Sequence, residues 1–216
     1  MMLLGLGWLL ACGPYPIVQV DGAVRLGGSA TGQILVGTAK GAVVAVDAFG
    51  EQQALAGEHG SPVRELSASP LGSWWAQLDD GRLLTGTHWS APSVQLHPSL
   101  RGMVVGCDGL HLSTDAAPEP WIEGVSAVAF AGCGEYHLGT VDGSVAGQSV
   151  STAAIRRVQP LGEGLVWVDA EGRTGCLGCT HRLPREGVVD AIATWQAPFL
   201  DGELVWLDRD GMLWVR

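Results

Sequence analysis

Asparagine is absent from the 216 residues, and lysine occurs once, at Lys40. The first absence excludes Asn-linked glycosylation and leaves Asp-Gly, rather than Asn-Gly, as the compact hairpin signal. The second, with 12 Lys+Arg against 22 Asp+Glu and a net charge of −10, leaves no basic run to neutralise a phosphate backbone or an anionic bilayer. Nucleic acid is therefore not an expected partner. Charged residues make up only 16% of the chain and hydrophobic ones 47%, which excludes wholesale disorder and provides for one sizeable core. Almost no helix is expected either. No ten-residue stretch carries a capped 3.6-residue stripe, and the 32 glycines fall every few residues, each costing a helix about 1 kcal/mol relative to Ala.

Recognisable catalytic motifs are equally scarce. There is no G-x-S-x-G elbow to anchor a Ser-His-Asp arrangement, and "GLGW" and "GGSATG" are not followed by the Lys-Ser/Thr of a phosphate loop. The six histidines (His59, His88, His97, His111, His137 and His181) form no H-x-H or H-x-x-x-H pair, so isolated imidazoles are expected. Five cysteines are present. "CLGCTH" at 176–181 is one residue too long for a haem-attachment C-x-x-C-H, and no second C-x-x-C completes a zinc site. On a straight strand Cys176 and Cys179 would lie ~10 Å apart, beyond the ~7 Å limit for a disulfide. Small core residues are the favoured reading; a disulfide requires a turn at Gly178. No metal and no cofactor are expected.

What is present begins with an eight-residue apolar run, Leu3 to Leu10, too short to span a bilayer but long enough for a signal-peptide core. Its end, "LLAC", resembles the lipobox of bacterial lipoproteins. That resemblance implies a signal segment over 1–12, a lipid on Cys12 and a location at the cell envelope. The alternative is a hydrophobic N-terminus without processing, in the cytoplasm. Residues 13–216 are expected to form a single domain.

A turn then recurs through the rest of the chain, at Lys40-Gly41, Asp80-Gly81, Asp108-Gly109, Asp142-Gly143, Glu171-Gly172 and Asp210-Gly211. The glycines are spaced by 40, 28, 34, 29 and 39 residues, an average of 34 that falls in the range of repeat architectures. "QILVGTAKGAVVAVD", "EYHLGTVDGSVAGQSV" and "ELVWLDRDGMLWVR" each place two Val-, Leu- or Trp-rich runs about such a corner. Another strand precedes each hairpin, as in "VRELSAS", and a weaker polar one follows. Such four-stranded antiparallel units bury their faces only by stacking in a ring.

The stretches "SPVRELSASPLGSWWAQLDDGRLLTGT" and "GVSAVAFAGCGEYHLGTVDGSVAGQ" resemble WD40-type repeats of WD40-like or quinoprotein-like β-propellers. Val63, Leu66, Ser69-Pro70, Gly72 and Asp80-Gly81 fall where that family places its inner strand, corner and hairpin. No repeat ends in Trp-Asp, so the family's Asp-His-Ser/Thr-Trp network is not carried over. The expected fold is all-β: a six-bladed propeller of four-stranded antiparallel blades, closed by pairing "PIVQVDG" at 16–22 with the last blade. Five or seven blades are the alternatives, because the third unit, around 103–121, lacks a clear inner strand. Trp74, Trp75, Trp167, Trp206 and Trp214 are expected to pack between blades.

The leading functional expectation is a non-catalytic scaffold that binds a protein or envelope component through its rim loops. Candidate contacts are Phe49, Trp89, Trp121, Arg156 and Arg157. The alternative is an enzyme, or a small-molecule or metal binder, that uses the central channel, lined by Arg25, Arg64, Glu65, Ser126, Gln159 and Asp190. A cytosolic WD40-like scaffold is a further alternative. The absence of sialidase-type S-x-D-x-G-x-x-W boxes and of adjacent cysteines lowers the enzyme reading.

Overall fold

The computed structural model describes residues 14–30, 33–68, 74–86, 103–106, 109–112, 124–132, 135–179, 183–194 and 203–216, and every regular element among them is a strand. The hairpin corners explain why. Gly41, Gly81, Gly143, Gly172 and Gly211 all adopt φ between +79° and +88°, a conformation glycine reaches without steric cost. A residue ahead of the corner then fixes the turn. Asp169 Oδ1 accepts from Glu171 N and Arg173 N, Asp208 Oδ1 accepts from Asp210 N and Met212 N, and Thr38 Oγ1 accepts from Ala42 N.

Strand β1 (Tyr15–Gln19) comes first and joins the last sheet. The first blade is β2 (Ala23–Ala30), β3 (Gln33–Thr38), β4 (Val43–Val46) and β5 (Gln52–Ala56), in that order. The second has three strands: β6 (Val63–Ala68), β7 (Trp74–Leu78) and β8 (Leu83–Gly86). A separate pair follows, β9 (Met103–Gly106) with β10 (Gly109–Leu112). The third blade is β11 (Val125–Gly132), β12 (Glu135–Thr140), β13 (Ser144–Val145) and β14 (Gln148–Ser149). The fourth is β15 (Ile155–Leu161), β16 (Gly164–Asp169) and β17 (Thr174–Leu177). The fifth is β18 (Val188–Thr194), β19 (Glu203–Asp208) and β20 (Met212–Val215), with β1 outermost. All pairings are antiparallel, and Tyr15 to Gln19 run opposite Val215 to Met212.

The expectation of six four-stranded blades is therefore wrong: the ring has five blades of three to four strands. The unit that fails is the third Gly-turn unit, around Asp108-Gly109. It supplies only the two-stranded β9–β10 pair, with no inner strand bonded to it among the described residues. A Gly turn between two short strands is therefore not by itself the mark of a blade.

Among the described residues, four apolar cores lie between consecutive blades. Leu26, Ile34 and Val36 of the first blade meet Val205, Leu207 and Leu213 of the fifth, and β1 adds Ile17 and Val18 to this cluster. Leu35, Val43 and Ala45 meet Val63, Leu66 and Leu78; Ala127 and Val145 meet Ile155 and Val158; Val166 and Val168 meet Ala191 and Trp206. Two of these seams close on glycine. A Cβ on Gly37 would lie 2.5 Å from Val63 of the next blade, and one on Gly139 would lie 2.5 Å from Ile155 of the next, at the equivalent position. Trp74, Trp75, Trp167 and Trp206 are buried, Trp206 and Trp214 stack at 6.4 Å, and Trp214 donates to Asp208.

Candidate functional site

The inner strands of the five blades carry the same irregularity. The register slips between Ala23 and Arg25, Val63 and Glu65, Val125 and Ala127, Ile155 and Arg157, and Val188 and Asp190. Each slip leaves one residue outside the ladder: Val24, Arg64, Ser126, Arg156 and Val189. A bulge of this kind re-aims the extra side chain, and repeating it in every blade rings one end of the channel with residues freed from the period-2 alternation.

The residue after each bulge turns inward: Arg25, Glu65, Ala127, Arg157 and Asp190. Four of the five are charged, with both signs, and they assemble into one ionic chain. Arg25 Nη2 donates to Glu65 across the first and second blades. Arg25 Nη1 lies 3.9 Å from Asp190 Oδ2. Asp190, with no exposed surface, accepts from Arg157 Nε at 2.8 Å and Nη2 at 2.6 Å, and from Leu26 N at 2.8 Å. Arg157 Nη2 also donates to Leu26 O at 2.6 Å. One carboxylate thus ties the fourth, fifth and first blades together at the axis, and Glu65 extends the chain to the second.

Burial alone would raise the Asp190 pKa, but the charge and hydrogen bonds of Arg157, the charge of Arg25 and the Leu26 amide outweigh it and hold the carboxyl below its usual range. For Arg157, burial opposes the charge, yet Asp190 and the charge of Glu65 more than offset it and raise the guanidinium above its ordinary value. At neutral pH both groups are charged and engaged with each other, as a structural clamp between blades requires.

Beside the clamp a cavity of about 420 Å³ opens at the bulge end of the channel. Its polar lining is Arg25, Arg64, Glu65, Asp79, Ser126 and Arg156, on apolar walls that include Val63 and Ile155. Arg64 and Arg156 are exposed and, among the described residues, make no ion pair or hydrogen bond. Arg25 is 5% exposed, and its Nε and Nη1 have no hydrogen-bond partner; neither has the buried Ser126 Oγ. Among the described residues no three His, Cys, Asp or Glu side chains cluster as a metal site would require.

Of the residues expected to line the channel, Arg25, Arg64, Glu65 and Ser126 border this cavity, Asp190 lies behind it, and Gln159 is half-buried on β15. Of those expected to contact a partner, Arg156 is at the same mouth and Arg157 is spent in the clamp. Phe49 stands 88% exposed on the turn between β4 and β5. Asp47 Oδ1 fixes that turn by accepting from Phe49 N and Glu51 N, each at 2.9 Å. Trp89, Trp121 and Cys12 lie outside the described residues. Cys176 and Cys179, favoured above as separate core residues, are joined as a disulfide with Cα atoms 5.6 Å apart, and Gly178 at φ +73° makes the turn.

The clamp had a sequence signal. Aligning "AVRL", "VREL", "VSAV", "IRRV" and "VVDA" at the inner-strand starts puts Arg, Glu, Ala, Arg and Asp at the third position, an alternation of charge that a solvated face has no need to repeat.

No protein-family model matches the chain, and no curated protein matches it. Among solved structures it is similar to the β-propeller domain of Cps50 (Swd1) from Myceliophteria thermophila, at 10% identity over 94% of this chain and 99% of that one, with TM-score 0.42. A catalytically inactive virginiamycin B lyase from Staphylococcus aureus with quinupristin is 12% identical over 89% of this chain and 79% of that one, with TM-score 0.40. Sqt1 from Saccharomyces cerevisiae is 13% identical over 91% and 72%, with TM-score 0.34. By its own sheets, five four- or three-stranded antiparallel blades about a bulge-lined channel, the chain is a β-propeller.

Proposed function

We propose that the protein is a non-catalytic binding propeller, tethered to the cell envelope through a lipid on Cys12, that engages an envelope component through the rim bearing Phe49. The observation that carries this reading is Phe49 itself, 88% exposed on a turn already fixed by Asp47. An aromatic ring held on a rigid turn loses little entropy on binding, which suits an anchor. The turn sits beside the first strand, since a Cβ on Gly50 would lie 3.1 Å from Ile17 O. Tyr15, at the start of that strand, pairs with Val215 at the same end of the last blade. Cys12 is three residues earlier, within ~11 Å of Tyr15 by the reach of an extended chain. A lipid there would bring the Phe49 rim toward the membrane and turn the channel mouth away from it.

Binding is favoured over acid–base chemistry in the channel because Asp190 and Glu65 are both engaged by arginine. The test expresses the full-length chain in a bacterial host and combines intact mass with fractionation. Loss of residues 1–11 and acyl mass on Cys12 support the anchor, whereas an unmodified soluble chain rejects it in favour of a cytosolic scaffold. Phe49→Ser is then compared with wild type in co-purification from solubilised membranes. A species retained by wild type and lost in the variant at unchanged melting temperature supports the rim contact; equal recovery rejects it.

A further inference from the structure

We infer that the channel mouth is a second, separate binding site, built to receive a single carboxylate group. Four of the chain's eleven arginines (Arg25, Arg64, Arg156 and Arg157) stand at the starts of three inner strands, although the net charge is −10. Such a concentration runs against the field of the whole molecule and calls for a local reason. Arg157 has one, because Asp190 takes its charge and the pair is neutral. The cavity lining holds three arginines, Arg25, Arg64 and Arg156, against two acids, Glu65 and Asp79, an excess of one positive charge. That excess matches a monoanion and undercharges the site for a phosphate dianion.

The donors fit the same guest. Arg64 and Arg156 occupy equivalent bulge positions of the second and fourth blades, and neither has a partner among the described residues. A planar guanidinium fork pairs with a carboxylate through two parallel hydrogen bonds. Ser126, the bulge residue of the third blade, lies in the same lining with a hydroxyl that makes no hydrogen bond. Arg25 contributes charge from the wall, where its Nε and Nη1 make no hydrogen bond. At about 420 Å³ the cavity has room for a small organic acid or the last residue or two of a peptide, on walls apolar enough to take an aliphatic side chain. The site depends neither on the tether nor on Phe49, so it stands or falls by its own measurement.

The experiment follows arginine Nε–Hε resonances of the full chain while propionate, acetyl-alanyl-alanine, its C-terminal amide and inorganic phosphate are titrated in. Both carboxylates, or one of them, should move the Arg64 and Arg156 signals, and the amide should not. The tighter of the two carboxylates identifies the source as a free acid or a peptide terminus. Arg64→Ala and Arg156→Ala, at exposed residues without a partner among the described ones, should keep the wild-type melt and weaken binding at least about tenfold each. Ser126→Ala should leave stability unchanged while weakening binding, an effect that a packing role would not produce. Equal binding of the amide, wild-type affinity in both arginine variants, tighter binding of phosphate, or no response to any carboxylate would each overturn the assignment.

Discussion

Asp190 has no exposed surface yet is held ionised, and the reason lies in its neighbours: three donors from Arg157 and Leu26, with Arg25 3.9 Å away. A buried ion pair is costly to break, because removing one partner strands the other in a low-dielectric interior. Asp190→Ala should therefore destabilise the fold by about 3–5 kcal/mol, read as a shift in the urea midpoint. Asp190→Asn, which keeps an acceptor for the Leu26 amide, should cost less than the alanine. The same residue sets an acid limit. The folded-state pKa of Asp190 is depressed, as is that of Asp169, where burial is outweighed by hydrogen bonds from Ser151 and Arg173. A depressed carboxyl contributes stability that is fully present above the unfolded value, ~3.9, and is lost as pH falls through the folded value. Melting temperature should hold from pH 7 to about pH 4 and fall below it, and Asp190→Asn should flatten that fall; a wild-type slope in the variant would assign the acid sensitivity to other groups.

At the scale of strands and turns, the alternation of apolar and polar residues made the hairpins legible, and the acidic-Gly corners placed their turns. The bulges were not legible, because a period-2 template has no place for one unpaired residue. Strict alternation sends Arg156 and Arg157 to opposite faces without marking which reaches the axis; with the bulge, Arg156 faces the mouth and Arg157 enters the clamp. The three-stranded blades show another constraint that sequence pattern alone does not carry. In the second blade a Cβ on Gly86 would lie 1.9 Å from the Trp74 indole, and in the fourth a Cβ on Gly175 would lie 2.4 Å from Trp167. Trp74 pairs with Gly86 and Trp167 with Gly175, so each indole lies over the glycine of the adjacent strand. In the fifth blade Trp214 stands where the fourth has Gly175, three residues after the corner glycine, and stacks on Trp206 instead. Gly175→Ala should displace the ring and cost about 1–3 kcal/mol, the range for overpacking a filled site. Thermal unfolding checks it, and a variant as stable as wild type would mean that the indole has room to move.

For the whole molecule, the blade number turned on what a turn signal leaves out. Asp108-Gly109 has the corner residues of the other units, but among the described residues around it only the β9–β10 pair is seen, whereas each of the five blades begins with an inner strand. Ring closure was the more legible part. "PIVQV" has the composition of a strand and no hairpin partner of its own, and a last unit ending on its third strand leaves an edge to fill. β1 fills it, placing Ile17 and Val18 against the core between the first and fifth blades. The closing strand should therefore do two jobs, burying apolar surface and capping the β20 edge. A chain beginning at Val20 loses both. An uncapped strand carrying Leu213 and Val215 is a template for pairing with another copy, so the truncated protein should melt lower and self-associate in sedimentation velocity as concentration rises. Adding a peptide of residues 14–19 should compete for the edge and return the truncated chain to monomer. A truncated chain that stays monomeric and melts with wild type would show that the ring holds closed through the blade seams and the Asp190 clamp alone.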